Sequence, residues 1–250
     1  MSTVRLHRDD TIAVLTLDNP GKKNAMTDPM WEQVPRLMAQ IDEDPRFTAT
    51  ILVGAGDAFC SGADIAGLTK PDHVDRPIAA ELALAASPKP VIAAIEGPCI
   101  GGGVQLAVAC DLRIASRQAT FCVPPARLGV VYPWTATLRM VQLMGPAATK
   151  EMMFTAARWD ADRALAARLV NRVEEPGTAL EAALATARAM AVLSQLSVQA
   201  SKELIDACAA GTIDPALAAD WTARAVAGPD LQEGIAAFHE RRPARFTWRR

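Results

Sequence analysis

Aromatic side chains are scarce in this 250-residue chain, at 5%, and tyrosine occurs once, as Tyr132. Charge of one sign is also missing, since 26 basic side chains stand against 28 acidic ones for a formal charge of -2. That balance removes the strongly basic footprint of a dedicated nucleic-acid binder, so no nucleic-acid partner is expected. No apolar run approaches the roughly 20 residues of a membrane-spanning helix. The longest, Val91 to Ile95 and Gly101 to Ala109, are far shorter, and no membrane partner is expected. Met1 to Asp10 alternates apolar and charged residues and lacks the apolar block and cleavage site of a secretory signal, so the expected location is cytoplasmic. The five cysteines (Cys60, Cys99, Cys110, Cys122, Cys208) are odd in number, form no CxxC pair and sit mostly in apolar runs. They read as small buried hydrophobes, not as a metal site or a disulfide framework.

What is present is a chain that is 50% apolar and long enough to bury a sizeable core. Thr3 to His7 and the β-branched run Thr11 to Asp18 predict a hairpin that ends at the turn cluster Asn19-Pro20-Gly21. Thr27 is a candidate cap for a helix to about Ile41, with Met30, Val34, Leu37, Met38 and Ile41 at helical spacing. Thr48 to Gly54 and Val91 to Glu96 are unbroken apolar runs, the pattern of parallel strands covered on both faces. Between them lie the loop Gly54 to Gly67, an irregular charged stretch from Lys70 to Pro77, and a helix from about Ile78 to Ala86. Gly97-Pro98 reads as a turn, Gly101-Gly102-Gly103 opens a helix through Ala109, and Asp111 to Ala115 and Thr120 to Val123 are short strands. Beyond Pro133 the pattern is helical: Thr135 to Met144, Ala147 to Thr155, Ala161 to Arg168, Glu181 to Leu193, Val198 to Cys208, Pro215 to Val226 and Leu231 to Arg241.

Two segments could present backbone N–H groups to an anion. In Phe59-Cys60-Ser61-Gly62-Ala63-Asp64-Ile65, small residues permit close approach to the backbone. At Gly101-Gly102-Gly103 a helix begins, where unpaired N–H groups and the positive end of the dipole favour negative charge. Converging, they would form an oxyanion hole. Either segment alone is more often explained by tight packing. The second lacks the lysine and hydroxyl of a phosphate loop and the GxGxxG spacing of a dinucleotide site.

In order and spacing these segments resemble the enoyl-CoA hydratase/isomerase (crotonase) superfamily over nearly the whole chain. The resemblance is carried by Leu17-Asp18-Asn19-Pro20 with Lys23-Asn24-Ala25-Met26, by Ala58 to Ile65, by Lys89 to Gly97, by Gly101 to Ala107, by Cys110 to Ala115, and by Glu233 to Phe238 with Arg241 and Arg242. It implies an α/β fold, a spiral of ββα turns over residues 1–190, with a C-terminal helical trimerisation region over 191–250, assembled as a homotrimer or a dimer of trimers. It implies an acyl-CoA substrate and no separate cofactor, coenzyme A being part of the substrate, and no metal. The thioester oxygen would be held by Ala63 and Gly102. Coenzyme A would lie along Lys23, Ala25, Ala63, Asp64 and Ile65, with Phe238 and Arg241 as the C-terminal contacts.

The chain departs from the family at its acid/base positions. The family's hydratases use paired carboxylates for water activation and proton delivery. The matching positions are Gln105, which can orient a group but not titrate, and Pro125. A later carboxylate of the isomerase branch matches Pro133. Tyr132 resembles a tyrosine of the methylmalonyl-CoA decarboxylase branch, although that branch has histidine where this chain has Ala63. Decarboxylation generates an enolate directly and needs a proton donor but no base, so a decarboxylase using Tyr132 stands as the alternative. A non-catalytic acyl-CoA- or RNA-binding relative is a third. Asp72, His73 and Asp75 border the expected pocket.

Overall fold

A computed structural model describes residues 2–64 and 74–249. The chain opens with β1 (Thr3–Asp9) and β2 (Ile12–Asp18), paired antiparallel with Leu6 opposite Leu15. Helix α1 (Asp28–Glu43) carries it back to β3 (Ala49–Gly54), which lies parallel to β2. Helix α2 (Asp75–Ala85) leads to β4 (Val91–Ile95), parallel to β3. A short strand β5 (Pro98–Ile100) and helix α3 (Gly102–Ala109) follow, then β6 (Leu112–Ser116), parallel to β4. After β7 (Thr120–Cys122), α4 (Pro125–Leu128), α5 (Trp134–Thr155), β8 (Trp159–Asp160) and α6 (Ala161–Ala166), strand β9 (Arg172–Glu174) closes the large sheet, whose order is β1-β2-β3-β4-β6-β9.

The repeat is a spiral. Each turn gives one strand to the large sheet and then a short extended stretch to a second layer. In that layer Met26 bridges Ala63, Cys60 bridges Cys99, and Ile100 of β5 pairs with Cys122 of β7. The expected succession of ββα turns is therefore present; Gly97 turns the chain after β4 with φ 50°, as expected, and Pro98 opens a strand, β5, that was not expected. It was missed because three residues carry no legible alternation.

Burial splits the central strands by parity, as side chains that alternate between faces require. Ala13, Leu15, Leu17, Leu52, Ala93, Ile95 and Ala115 face the core that α1, α2 and α3 cover. Ile12, Val14, Ile51, Val53, Ile92, Ala94 and Ile114 face α7 (Ala179–Ala191), whose Ala183 and Ala187 let it sit close to the sheet. Helices α8 (Gln195–Ala210), α9 (Pro215–Ala227) and α10 (Pro229–Glu240) follow, with a small cluster of their own around Leu196, Ala200 and Trp221. Among the described residues no helix is long and apolar enough to cross a membrane.

Local differences from the sequence reading have local causes. Thr27 precedes α1 but makes no side-chain cap bond; its hydroxyl meets Ser2 Oγ at 3.3 Å. Helix α2 begins at Asp75 rather than Ile78, because Asp75 and Pro77 suit a first helical turn and are not part of an irregular stretch. The two helices expected on either side of Gly145-Pro146 are the limbs of α5, kinked where Gly145 takes φ 76°. Cys60, Cys99, Cys110 and Cys122 are buried free thiols and Cys208 is exposed.

Candidate active site

Asn24 builds the first wall of the site. It adopts φ 58°, and its side chain donates to Ala55 O at 2.9 Å and Ala58 O at 2.7 Å, pinning the loop after β3. Lys23 accepts the Ser61 N–H at 2.9 Å through its carbonyl, while Asn19 Nδ2 donates to Ala25 O at 2.6 Å. Met26 then donates to Gly62 O at 2.8 Å and accepts from Asp64 N at 2.9 Å. This parallel bridge uses the groups on either side of Ala63, so the N–H of Ala63 points away from it. Gly62 has φ 114°, and a Cβ there would stand 3.2 Å from Ile100 O. Only glycine satisfies both conditions.

The second wall is the start of α3. A Cβ on Gly103 would lie 2.5 Å from Cys60 O, so glycine is what lets this helix end close against the loop. The N–H of Gly102, in the first turn, has no intrahelical acceptor. The point where a Gly102 Cβ would stand is 3.2 Å from Ala63 N and 3.0 Å from the Trp31 ring. Two unladdered N–H donors, from segments some forty positions apart in sequence, are thus neighbours. The nearby thiol is no nucleophile, because burial pushes Cys60 up to about 12.

Tyr132 completes this wall. Its hydroxyl donates to Gly101 O at 2.8 Å, and the same carbonyl accepts Gln105 N at 3.0 Å. That carbonyl belongs to the peptide whose other end is the Gly102 N–H. Hydrogen bonds along such a chain polarise one another, so donation to the carbonyl strengthens the amide as a donor. Burial first, then the neighbouring Cys99 and Glu81, hold the phenol well above its ordinary value, so it stays protonated.

Gln105 lies one helical turn past Gly102 and is 2% exposed. Its Nε2 donates at 3.0 Å to Glu81 Oε2, an oxygen that also accepts from Thr135 Oγ1 at 2.7 Å. Arg139 Nε reaches Glu81 Oε1 at 3.0 Å. Glu81 is 0% exposed and was not among the expected site residues. The signal was available: Pro77, Ala80, Glu81 and Leu84 are the buried positions of α2, so a glutamate occupies its apolar stripe. Pro125 is buried at the start of α4 and Pro133 precedes α5, so neither supplies a titrating group.

The fold brings Lys23, Ala25, Ala63, Asp64, Gly102, Gln105 and Tyr132 around the start of α3. Phe238 and Arg241 are elsewhere, on and just after α10, which packs on α9. Phe238 is 81% exposed and meets His239 edge-on. Arg242 is tied to Glu233 at 2.6 Å and to Glu240, whereas Arg241 has no ion-pair partner among the described residues. Asp75 is an exposed first residue of α2. Ile65, Asp72 and His73 lie outside the described residues. A separate groove of about 510 Å³ between α5 and α6, lined by Met144, Arg163 and Arg168 among others, shares no residue with this site.

Residues 7–249 match the enoyl-CoA hydratase/isomerase family. A short-chain-enoyl-CoA hydratase of Clostridium acetobutylicum is 32% identical over 251 residues, covering 97% of this chain and 96% of that protein. The crystal structure of an enoyl-CoA hydratase/isomerase family member superposes with a TM-score of 0.94 at 33% identity, covering 100% of this chain and 98% of the other. That of an enoyl-CoA hydratase/carnitine racemase from Magnetospirillum magneticum gives 0.92 at 34% identity, with 99% and 96% covered. Fold, motif order and extent of match agree, and the chain belongs to the enoyl-CoA hydratase/isomerase family of enzymes.

Proposed function

We propose that this enzyme acts on acyl-CoA thioesters through an enolate, with the thioester oxygen held by the N–H groups of Ala63 and Gly102. The observation that carries the reading is the adjacency of those two N–H groups, neither used by a ladder or a helix, at the positive end of α3. The step needs no cofactor beyond the coenzyme A of the substrate. Lys23, Ala25, Asp64 and Ile65 belong to the segments along which that moiety would run, and Arg241, which has no ion-pair partner among the described residues, would supply positive charge for its phosphates.

The reaction that follows the enolate is set by what surrounds it. With Gln105 and Pro125 at the acid/base positions, a two-carboxylate hydration is not supported. Decarboxylation of a malonyl-type thioester is the second reading, favoured by Gln105, Pro125 and Pro133 at the acid/base positions, because loss of carbon dioxide forms the enolate without a base. Self-association, as a trimer or a dimer of trimers, is supported by the exposed Ile205, Val226 and Phe238 of the C-terminal helices, at 65, 64 and 81%. Free buried thiols fit a reducing, cytoplasmic setting.

The test is titration with acetoacetyl-CoA, whose enolate is read by its near-ultraviolet band. Gly102→Pro removes one donor, and such a loss is typically worth about 3 kcal/mol, or roughly a hundredfold. Gly102→Ala keeps the N–H but places a methyl 3.2 Å from Ala63 N, and should also weaken enolate binding. Unchanged enolate binding in both variants, shown to be folded by their melting curves, would refute the assignment.

A further inference from the structure

A carboxylate taken fully out of water is costly unless it is paired and hydrogen-bonded. Glu81 meets that requirement through three side chains on two helices: Gln105 of α3, and Thr135 and Arg139 of α5, at 3.0, 2.7 and 3.0 Å. Stability alone does not call for this arrangement, because well-packed apolar residues replace buried ion pairs at little cost or with a gain. What the arrangement does is orient an amide. A glutamine facing a carboxylate must present its NH₂, the donor end, and its carbonyl is then the only end left as an acceptor. That side chain stands three residues after Gly102, on the same side of α3.

We propose that Glu81 is a positioning residue that holds the Gln105 amide in one orientation, so that position 105 offers a fixed, non-titrating acceptor for the hydroxyl or water of the reacting thioester. The proposal rests on the reading of Ala63 and Gly102 as the oxyanion hole. It also accounts for the departure at position 105. A glutamate there would put a second carboxylate about 3 Å from Glu81, and two carboxylates that close cannot both ionise freely. The negative charge has moved across one hydrogen bond, from the helix that carries the oxyanion donor to α2. Arg139 is the cation on Glu81 among the described residues, Tyr132 is the titrating neighbour coupled to it, and Asp206 of α8 couples to Arg139.

The experiment compares wild type, Q105E and E81Q/Q105E by thermal melting from pH 5 to 8 and by crotonyl-CoA hydration over the same range. Wild type is first shown to bind acetoacetyl-CoA; if it does not, the oxyanion-hole reading fails and the proposal with it. In Q105E the crowded carboxyl pair raises one folded-state pKa. Stability is then full below the unfolded glutamate value and is lost as pH rises through the raised one. The expected result is a melting temperature for Q105E that falls from pH 5 to 8 and a turnover profile with an added ionisation. E81Q/Q105E, with the same hydrogen bond reversed, should lose both features and hydrate crotonyl-CoA about a hundredfold faster than wild type. If Q105E proves too unstable to assay, recovery of folding in E81Q/Q105E supports the proposal and continued failure overturns it. Identical pH profiles in Q105E and E81Q/Q105E, with acetoacetyl-CoA still bound by wild type, would overturn the role of Glu81 and leave the oxyanion hole standing.

Discussion

Replacing Tyr132 by Phe distinguishes two roles by magnitude. The ring packs against the core and remains in the variant, so the change is the loss of one hydrogen bond, 2.8 Å long, to Gly101 O. If that bond acts by polarising the peptide that ends in the Gly102 N–H, the loss is a fraction of one oxyanion donor. A donor of this kind is worth about 2.7 to 4 kcal/mol, and one hydrogen bond in a chain strengthens the next by roughly 10 to 30%. The product is about 0.3 to 1.2 kcal/mol, or roughly two- to eightfold in rate. If the phenol instead delivers the proton that quenches the enolate, its removal costs about a hundredfold or more.

Single-turnover rates for Tyr132→Phe on crotonyl-CoA and on a malonyl-type thioester separate these. The geometry favours the smaller, substrate-independent effect, since the hydroxyl proton is already given to Gly101 O. Gln105 N still occupies that carbonyl in the variant, so stability should fall by only about 1 kcal/mol. A hundredfold loss confined to the malonyl substrate would refute the polarisation argument and establish the decarboxylase reading. Equal rates for wild type and variant on both substrates would refute both roles.

Other predictions follow from contacts outside the reacting centre. Arg241→Ala should weaken acyl-CoA binding more at low salt than at high salt, because exposed charge is screened; isothermal titration at two ionic strengths decides, and a salt-independent loss would mean packing. Lys89 is buried and donates to Ile41 O at 2.6 Å and Asp44 O at 2.7 Å, at the end of α1. Lys89→Met removes these two bonds while Asp44 N and Phe47 N still donate to the same carbonyls, a loss of about 1 kcal/mol per bond, so a melting temperature within a degree of wild type would contradict the assigned role. Glu233 is drawn down to about 2, first by its hydrogen bonds from Arg242 and then by that from Arg245 N. A carboxylate lowered in the folded state adds stability above its unfolded value near 4.5 and loses it as pH falls toward 2. Glu233→Gln should flatten that acid limb in melting curves, and an unchanged limb would assign it to other groups.

The parts of this molecule that were legible are those whose cause is local. β3 and β4 announce themselves as unbroken apolar runs because both faces are covered, by α1 to α3 on one side and α7 on the other. The approach of Ala63 to the start of α3 was legible for a similar reason. A backbone donor needs small residues around it, and Gly62, Gly102 and Gly103 mark the approach of Cys60 and Ala63 to α3. Strands β8 and β9, of two and three residues, exist only because a neighbouring edge accepts them, and nothing in Trp159–Asp160 or Arg172–Glu174 says so in advance.

Glu81 was illegible for a different reason. Its three partners lie 24, 54 and 58 positions away, so no local spacing joins them. Only the helical period of α2 could have shown that a carboxylate was entering the core, and only the fold shows that it enters beside Gln105. The absence of an acid at position 105 and the presence of one at position 81 are a single fact of geometry. A substitution at either position that ignores the other would test repulsion between carboxylates, not the chemistry of the site.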